Sequence, residues 1–161
     1  MPTPLSNKPD IAIIGAGPAG CSAASWLSQM GLRVALIERA EQPCASLQAL
    51  RFEQDWVLGE PGQSLAALGQ RYAAQTLARS DIQHFLGTQL EHLDWQGGGA
   101  WQLGLRGGVV LQARALLLAT GLRPRRPELF FPPAALQSER VMDAIALTAR
   151  RESLIPGRIL L

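Results

Sequence analysis

IAIIGAGPAGCSAASWLSQMGLRVALIER, residues 11–39, is the stretch on which the reading of this chain turns. It holds Gly15, Gly17 and Gly20 in G-x-G-x-x-G spacing, and Glu38 stands eighteen residues after the last of them. Such a glycine triplet is a weak signal by itself. Here it follows an apolar run at 11–14, opens a helix-like segment that closes at Gly31, and leads into a second apolar run at 34–37. Strand, turn, helix and strand in that order form the unit that cradles a dinucleotide pyrophosphate.

The residue types fit that task physically. Gly15 permits a tight turn out of the strand, Gly17 lacks the Cβ that would keep a pyrophosphate from the backbone, and Gly20 lets the helix pack close to the strands. Pro18 and Ala19 complete the turn and open the helix, whose first N–H groups and dipole favour an anion. Glu38, followed by Arg39, ends the second strand and can accept hydrogen bonds from both hydroxyls of a ribose. A carboxylate there disfavours a 2′-phosphate, so the adenosine belongs to FAD or NAD rather than NADP.

The bulk numbers narrow the class. A chain of 161 residues has room for one ordinary domain with a core, and 47% hydrophobic against 17% charged residues is no disordered composition. A net charge of +2 gives no argument for nucleic acid. Cys21 and Cys44 are too few for a disulfide framework, residues 1–10 lack the apolar core of a signal peptide, and no apolar run reaches membrane-spanning length. A reducing, cytoplasmic setting and no membrane partner are therefore the expectation.

Along the chain, 1–9 reads as a loose tail and 18–30 as the first helix. Its small residues face the sheet, and Trp26, Leu27 and Met30 are expected to fill out the buried side. Residues 33–38 read as the second strand and 40–62 as irregular, broken by Pro43, Gly59, Pro61 and Gly62. Ser64 is a plausible N-cap for a helix over 65–78 with Leu65, Leu68 and Tyr72 as its apolar stripe. A third parallel strand follows at 82–86. Three short strands at 89–95, 100–105 and 109–112, separated by glycine-rich turns, read as an antiparallel meander. A buried strand at 115–119 ends at Thr120-Gly121. Prolines 124, 127, 132 and 133 punctuate a linker, 140–151 reads as a helix, and 159–161 as the start of a further strand. Gly15–Gly20, Glu38 and 119–121 all fall at the carboxyl ends of parallel strands, where such a fold binds its cofactor.

Other chemistry-bearing residues give weaker signals. Cys21 lies near a helix N-terminus, which could lower its pKa, but a small packing residue is the plainer reading. Cys44 could sense peroxide or be an ordinary loop cysteine. His84 and His92 sit on different strands without companions, so no metal site is expected. Glu91 and Asp94 suit a solvated hairpin face, and Arg123, Arg125 and Arg126 a solvated linker. Trp26, Trp56, Trp95 and Trp101 suit core or hairpin-pair positions. No residue declares itself as a catalytic acid, base or nucleophile.

With these residues in place, the chain resembles the FAD-binding half of the two-dinucleotide-binding-domain flavoproteins, nearest their thioredoxin reductase-like branch. Residues 11–39 match the FAD fingerprint, including its G-A-G-P-A-G wording, and 116–121, LLLATG, resembles the family's A-T-G motif beside the cofactor. The resemblance implies an α/β, Rossmann-like FAD/NAD(P)-binding fold: a parallel sheet with helices and a small antiparallel β-meander. It implies FAD held by Gly15, Gly17, Pro18, Ala19, Gly20, Glu38, Arg39, Thr120 and Gly121, and NAD(P)H as electron donor of the full-length parent. The domains then run 10–122 for FAD binding, 123–151 for a Pro/Arg linker and helix, and 152–161 for the start of a second, nicotinamide-binding domain. The chain accordingly reads as a truncated member.

The family's redox disulfide spacings are missing. There is no C-x-x-C, and the C-x-x-x-x-C partner of Cys44 would fall on Ala49. The parent then looks like the disulfide-free thioredoxin reductase-like ferredoxin–NADP reductases, with an electron acceptor left open. Two alternatives stand beside it: a flavin monooxygenase or halogenase fragment, and a non-catalytic adenine-dinucleotide-binding module or redox sensor. A truncated domain leaves apolar strand edges unpaired, so such a chain is expected to aggregate or to form a homodimer.

Overall fold

The computed structural model describes residues 8–50, 53–54 and 62–121. The linker, the helix expected at 140–151, the final strand, Trp56 and the three arginines at 123–126 lie outside the described residues. The elements run β1 (Ile11–Ile14), α1 (Pro18–Gln29), β2 (Val34–Ile37), α2 (Ala45–Gln48), β3 (Glu53–Gln54), β4 (Gln63–Ser64), α3 (Leu65–Leu77), β5 (Ile82–Phe85), β6 (Leu90–Gln96), β7 (Ala100–Leu105), β8 (Val110–Ala113) and β9 (Ala115–Leu118).

The central sheet has the order β5-β2-β1-β9, with every neighbouring pair parallel. Strand residues alternate between its two faces, and each face has its own core. Ile13, Val34, Leu36 and Ile82 pack towards the helices with Cys21 and Ala24, joined by Leu27 of α1 and Tyr72 of α3. Ala12, Ala35 and Ile37 point the other way and meet Leu103, Leu105 and Ala113 of the meander β6-β7-β8. The small Ala12 and Ala35 lie opposite the bulky leucines, which is how two sheet faces interdigitate without voids. All four residues of β2 are buried, as a strand covered on both faces must be. The result is three layers: helices, parallel sheet, meander.

Several sequence expectations are corrected here. Trp26 and Met30 are 68% and 73% exposed and do not fill the buried side of α1. The buried stripe is Gly20, Cys21, Ala24 and Ser28; at 100° per residue, positions 26 and 30 share the opposite face. The strand at 115–119 is not a buried one: among the described residues it pairs only with β1, and Leu118 is 66% exposed. The segment 40–62 is not wholly irregular, since it holds α2 and the short β3. By contrast, Ser64 Oγ accepts from the Ala67 N–H and starts α3 where the cap predicts. Trp95 and Trp101 face each other across the hairpin in an edge-on pair, 4.9 Å between ring centres.

The amino-terminal ends of three strands are tied at Asp10. Its carboxylate accepts from the Arg33 backbone N–H and from the Arg33 Nε and guanidinium at 3.0 Å each, and Arg114 lies 3.9 Å away. The Arg33 hydrogen bonds, side chain first and backbone second, hold the Asp10 carboxyl down at about 2. A carboxyl whose pKa is lower in the folded chain than its ordinary value near 3.9 stabilises the fold above that value and ceases to do so as pH falls through the folded one. Asp10→Asn should therefore lower Tm by a few degrees at neutral pH. The difference from the parent should be full above about pH 4 and shrink as pH falls from there through about 2; thermal denaturation across that range checks it, and a difference unchanged at the acid end would refute the account.

Candidate functional site

At the carboxyl end of β1 three backbone segments meet. Ala119 N–H donates to the Ile14 carbonyl at 2.8 Å, and Gly15 N–H donates to the Ile37 carbonyl at 2.8 Å. The turn after β1 is thus pinned by β9 on one side and β2 on the other. Strand order reverses its sense at this point, with β2 and β5 beyond one edge of β1 and β9 at the other. This is the switch point at which open α/β sheets bind ligands.

The three glycines of the turn do different things. Gly15 has φ +103°, and a Cβ there would stand 2.4 Å from the Ala119 carbonyl oxygen. A Cβ on Gly20 would stand 1.9 Å from the Gly15 carbonyl oxygen. Both positions are therefore closed to side chains by the chain itself. Gly17 is different: a Cβ there meets nothing within 4 Å among the described residues. Its bare face looks onto a cleft of about 120 Å³ that Gly17 and Pro18 share with Glu38, Arg39 and Cys44.

Gly17 is also the N-cap of α1, with Pro18 as the first helical residue. No side chain caps the helix, and its first turn carries no acid. The free N–H groups of a twelve-residue helix thus end at this cleft with their partial positive charge unanswered. A bare glycine face beside an uncapped helix start fits a phosphate group without any change in the chain.

Glu38 sits just past β2 at the far side of the cleft. Its Oε2 accepts from Ala16 N–H at 2.7 Å and its Oε1 from Ala40 N–H at 2.9 Å. The carboxylate is thereby fixed in orientation, while each oxygen keeps a second acceptor position. Sequence reasoning assigned Glu38 outward to a ribose and missed its inward grip on the glycine turn. Ala16 and Ala40 act through backbone N–H groups, which residue type does not disclose.

The residues expected at the site divide into three groups. Gly17, Pro18, Glu38 and Arg39 line the cleft together. Gly15 and Gly20 lie beneath it and shape the turn. Ala19, Thr120 and Gly121 are exposed, Thr120 and Gly121 past the end of β9, with Thr120 next to Gly15. Cys44, expected as an ordinary loop residue, is 3% exposed and has its backbone N–H on the Ala16 carbonyl at 2.7 Å. It holds φ +56°, the only left-handed residue other than glycine among those described. His84 binds the Thr76 carbonyl through Nε2 and His92 is exposed on the meander. Among the described residues no three His, Cys, Asp or Glu side chains gather as metal ligands, and no helix is long and apolar enough to cross a membrane.

Fold and cleft together define a Rossmann-like dinucleotide-binding domain. Residues 9–150 match the family of pyridine nucleotide-disulphide oxidoreductases, and the chain belongs to that family. A ferredoxin–NADP reductase of Salinispora tropica is 36% identical over 121 residues, covering 72% of this chain and 36% of the relative. That of Rhodospirillum rubrum is 34% identical over 135 residues, covering 79% and 38%. The chain thus spans well under half the length of these relatives. The fold is shared with Lactococcus lactis thioredoxin reductase, with a TM-score of 0.67 at 21% identity over 78% of this chain and 39% of that one.

The contrast among the glycines is directly testable. Gly20→Ala should cost about 3 kcal/mol or more, because backbone rather than a flexible side chain stands in the way. Gly17→Ala should stay within about 1 kcal/mol of the parent, since its φ is ordinary and its surroundings are open. Urea denaturation of the two variants distinguishes them; equal costs would contradict the division into a structural and a ligand-facing glycine.

Proposed function

We propose that this chain is the FAD-binding part of an NAD(P)H-dependent flavin oxidoreductase that works without the family's redox-active disulfide. The observation that carries the reading is Gly17: the chain itself does not require a glycine there, and the space its missing side chain leaves opens on the uncapped start of α1. A pyrophosphate accounts for both features. In this reading the N–H groups of the first turn hold the phosphate oxygens, and Glu38, oriented by Ala16 and Ala40, accepts from the ribose hydroxyls. Arg39 lies at the rim, and Thr120 and Gly121 flank the turn where β9 ends. The flavin supplies the redox chemistry, and the chain binds, orients and shields it.

Within this chain the disulfide-free reading is supported by Ala49, which stands where the C-x-x-x-x-C spacing would put a partner for Cys44. Similarity to proteins named ferredoxin–NADP reductase supports a parent that exchanges electrons between a nicotinamide and a ferredoxin-like carrier. A reducing, cytoplasmic setting and a homodimer are part of the same proposal.

FAD titration of the purified chain, followed by quenching of flavin fluorescence and by the visible bands near roughly 375 and 450 nm, should saturate at about one FAD per chain. Gly17→Ala, expected to cost little stability, should weaken FAD binding by about tenfold or more, the equivalent of at least about 1.4 kcal/mol. Saturable FAD binding unaffected by Gly17→Ala would remove the pyrophosphate assignment, and no saturable FAD binding by the parent would remove the proposal.

A further inference from the structure

The two cysteines are separated by 23 positions in the chain, yet their Sγ atoms lie 3.8 Å apart in the core beneath the cleft. Cys21 comes from the first turn of α1 and is fully buried, and Cys44 comes from the loop that opens α2. Both are anchored to one atom, the Ala16 carbonyl oxygen, which accepts from Cys44 N–H at 2.7 Å and from Cys21 S–H at 3.3 Å. The Ala16 N–H is the group that Glu38 holds. The thiol pair, the glycine turn and the ribose-facing carboxylate are therefore links of one chain of hydrogen bonds.

We propose that Cys21 and Cys44 form an intramolecular disulfide with a hydroperoxide as oxidant, and that a dinucleotide in the cleft shields them from it. The sulfurs have only to close from contact distance to the roughly 2.05 Å of a disulfide. The strained, left-handed Cys44 sits on a loop, which can supply that movement more readily than the helix holding Cys21. Access is one-sided, since Cys44 lines the cleft and Cys21 lies behind it.

The chemistry balances with one peroxide per pair. The Cys44 S–H proton passes across the contact to the Cys21 sulfur, and the Cys44 thiolate so formed attacks one peroxide oxygen; an S–O bond forms, the O–O bond breaks, and the departing oxygen takes a proton and leaves as water, or as an alcohol from an organic hydroperoxide. Cys21 then attacks the sulfur of the resulting sulfenic acid; the S–S bond forms, the S–O bond breaks, and a second water leaves with the remaining proton. Two thiols and one hydroperoxide give one disulfide, with two waters if the oxidant is hydrogen peroxide. The S–H···S contact eases loss of the first proton and draws Cys21 below the ordinary thiol range; the same contact, with burial and the nearby Cys21 and Glu38 charges, pushes Cys44 up. The pair thus gives up its protons one at a time and shares a single charge. Besides each other, the groups facing the thiols are the Ala16 carbonyl, the Thr76 hydroxyl and the Glu38 carboxylate.

This disulfide differs in place and purpose from an electron relay. It would lie under the pyrophosphate turn and shift the loop that carries one wall of the cleft, so the oxidised chain should hold a dinucleotide more weakly. The shielding half of the proposal rests on the FAD reading above; the disulfide itself does not.

The test treats the purified 161-residue chain with hydrogen peroxide, blocks free thiols with iodoacetamide, and maps the digest by mass spectrometry. The expected product is one peptide pair joining Cys21 to Cys44, removed by dithiothreitol, at monomer mass. In Cys21→Ser the reaction should stop at a Cys44 sulfenic acid that dimedone traps, and in Cys44→Ser it should leave Cys21 alkylatable only after unfolding. Saturating FAD, with occupancy read independently by fluorescence quenching, should slow disulfide formation about tenfold when ligand stands ten times above its dissociation constant. Unpaired, over-oxidised or intermolecular products from the wild-type chain would overturn the disulfide. An undiminished rate at demonstrated FAD occupancy would overturn the shielding. Failure of FAD to quench at all would count against the functional reading while the peptide map still decides the disulfide.

Discussion

The carboxyl end of β1 is where this domain leaves no room. Ala119 just past β9, Gly15 of the turn and Gly20 of the helix approach one another so closely that a Cβ on either glycine would fall within 2.4 Å of a carbonyl oxygen. Everything functional follows from that crowding. Because the helix lies against the turn, its uncapped N-terminus is delivered to the sheet edge rather than to open solvent. Because β2 holds Gly15 N–H and its successor Glu38 holds Ala16 N–H, the strand, the turn and the acid form one rigid unit.

Packing serves that unit from both faces. The helical side tolerates only small residues where α1 meets the sheet, so Gly20, Cys21 and Ala24 form the contact and the large Trp26 and Met30 are displaced to the outside. The meander side accepts leucines because Ala12 and Ala35 leave space for them. The amino-terminal edge is braced by charge, through Asp10, Arg33 and Arg114, whereas the carboxyl-terminal edge is held by backbone hydrogen bonds and left chemically open. A binding site needs rigid backbone with unspent hydrogen-bonding capacity, and the two ends of the sheet divide those roles.

The same closeness that shapes the cleft also brings two thiols into contact. Cys21 reaches the core because its helix must be narrow there, and Cys44 reaches it because the chain leaving β2 turns back under the cleft in a left-handed conformation. Each position has a local explanation. Their meeting is a property of the assembled domain, and it places both cysteines on the carbonyl of Ala16, whose N–H Glu38 holds.

Much was legible in the residues alone. G-x-G-x-x-G between two apolar runs fixed the β-α-β unit, Ser64 fixed the start of α3, and glycine-rich turns fixed the meander, because each of these depends on local backbone preference and short-range periodicity. The placement of the glycine turn and Glu38 at the carboxyl ends of neighbouring strands was also readable, since parallel strands send those ends to one side. What only the tertiary structure decided depends on distance between remote segments: the division of the glycines into two that their neighbours require and one that the described residues do not, the inward hydrogen bonds of Glu38, the outward face of Trp26, the exposure of β9, and the contact of Cys21 with Cys44. One-dimensional spacing records which residues can occupy an element. It does not record which backbone atoms from another element will stand within a few ångströms of them.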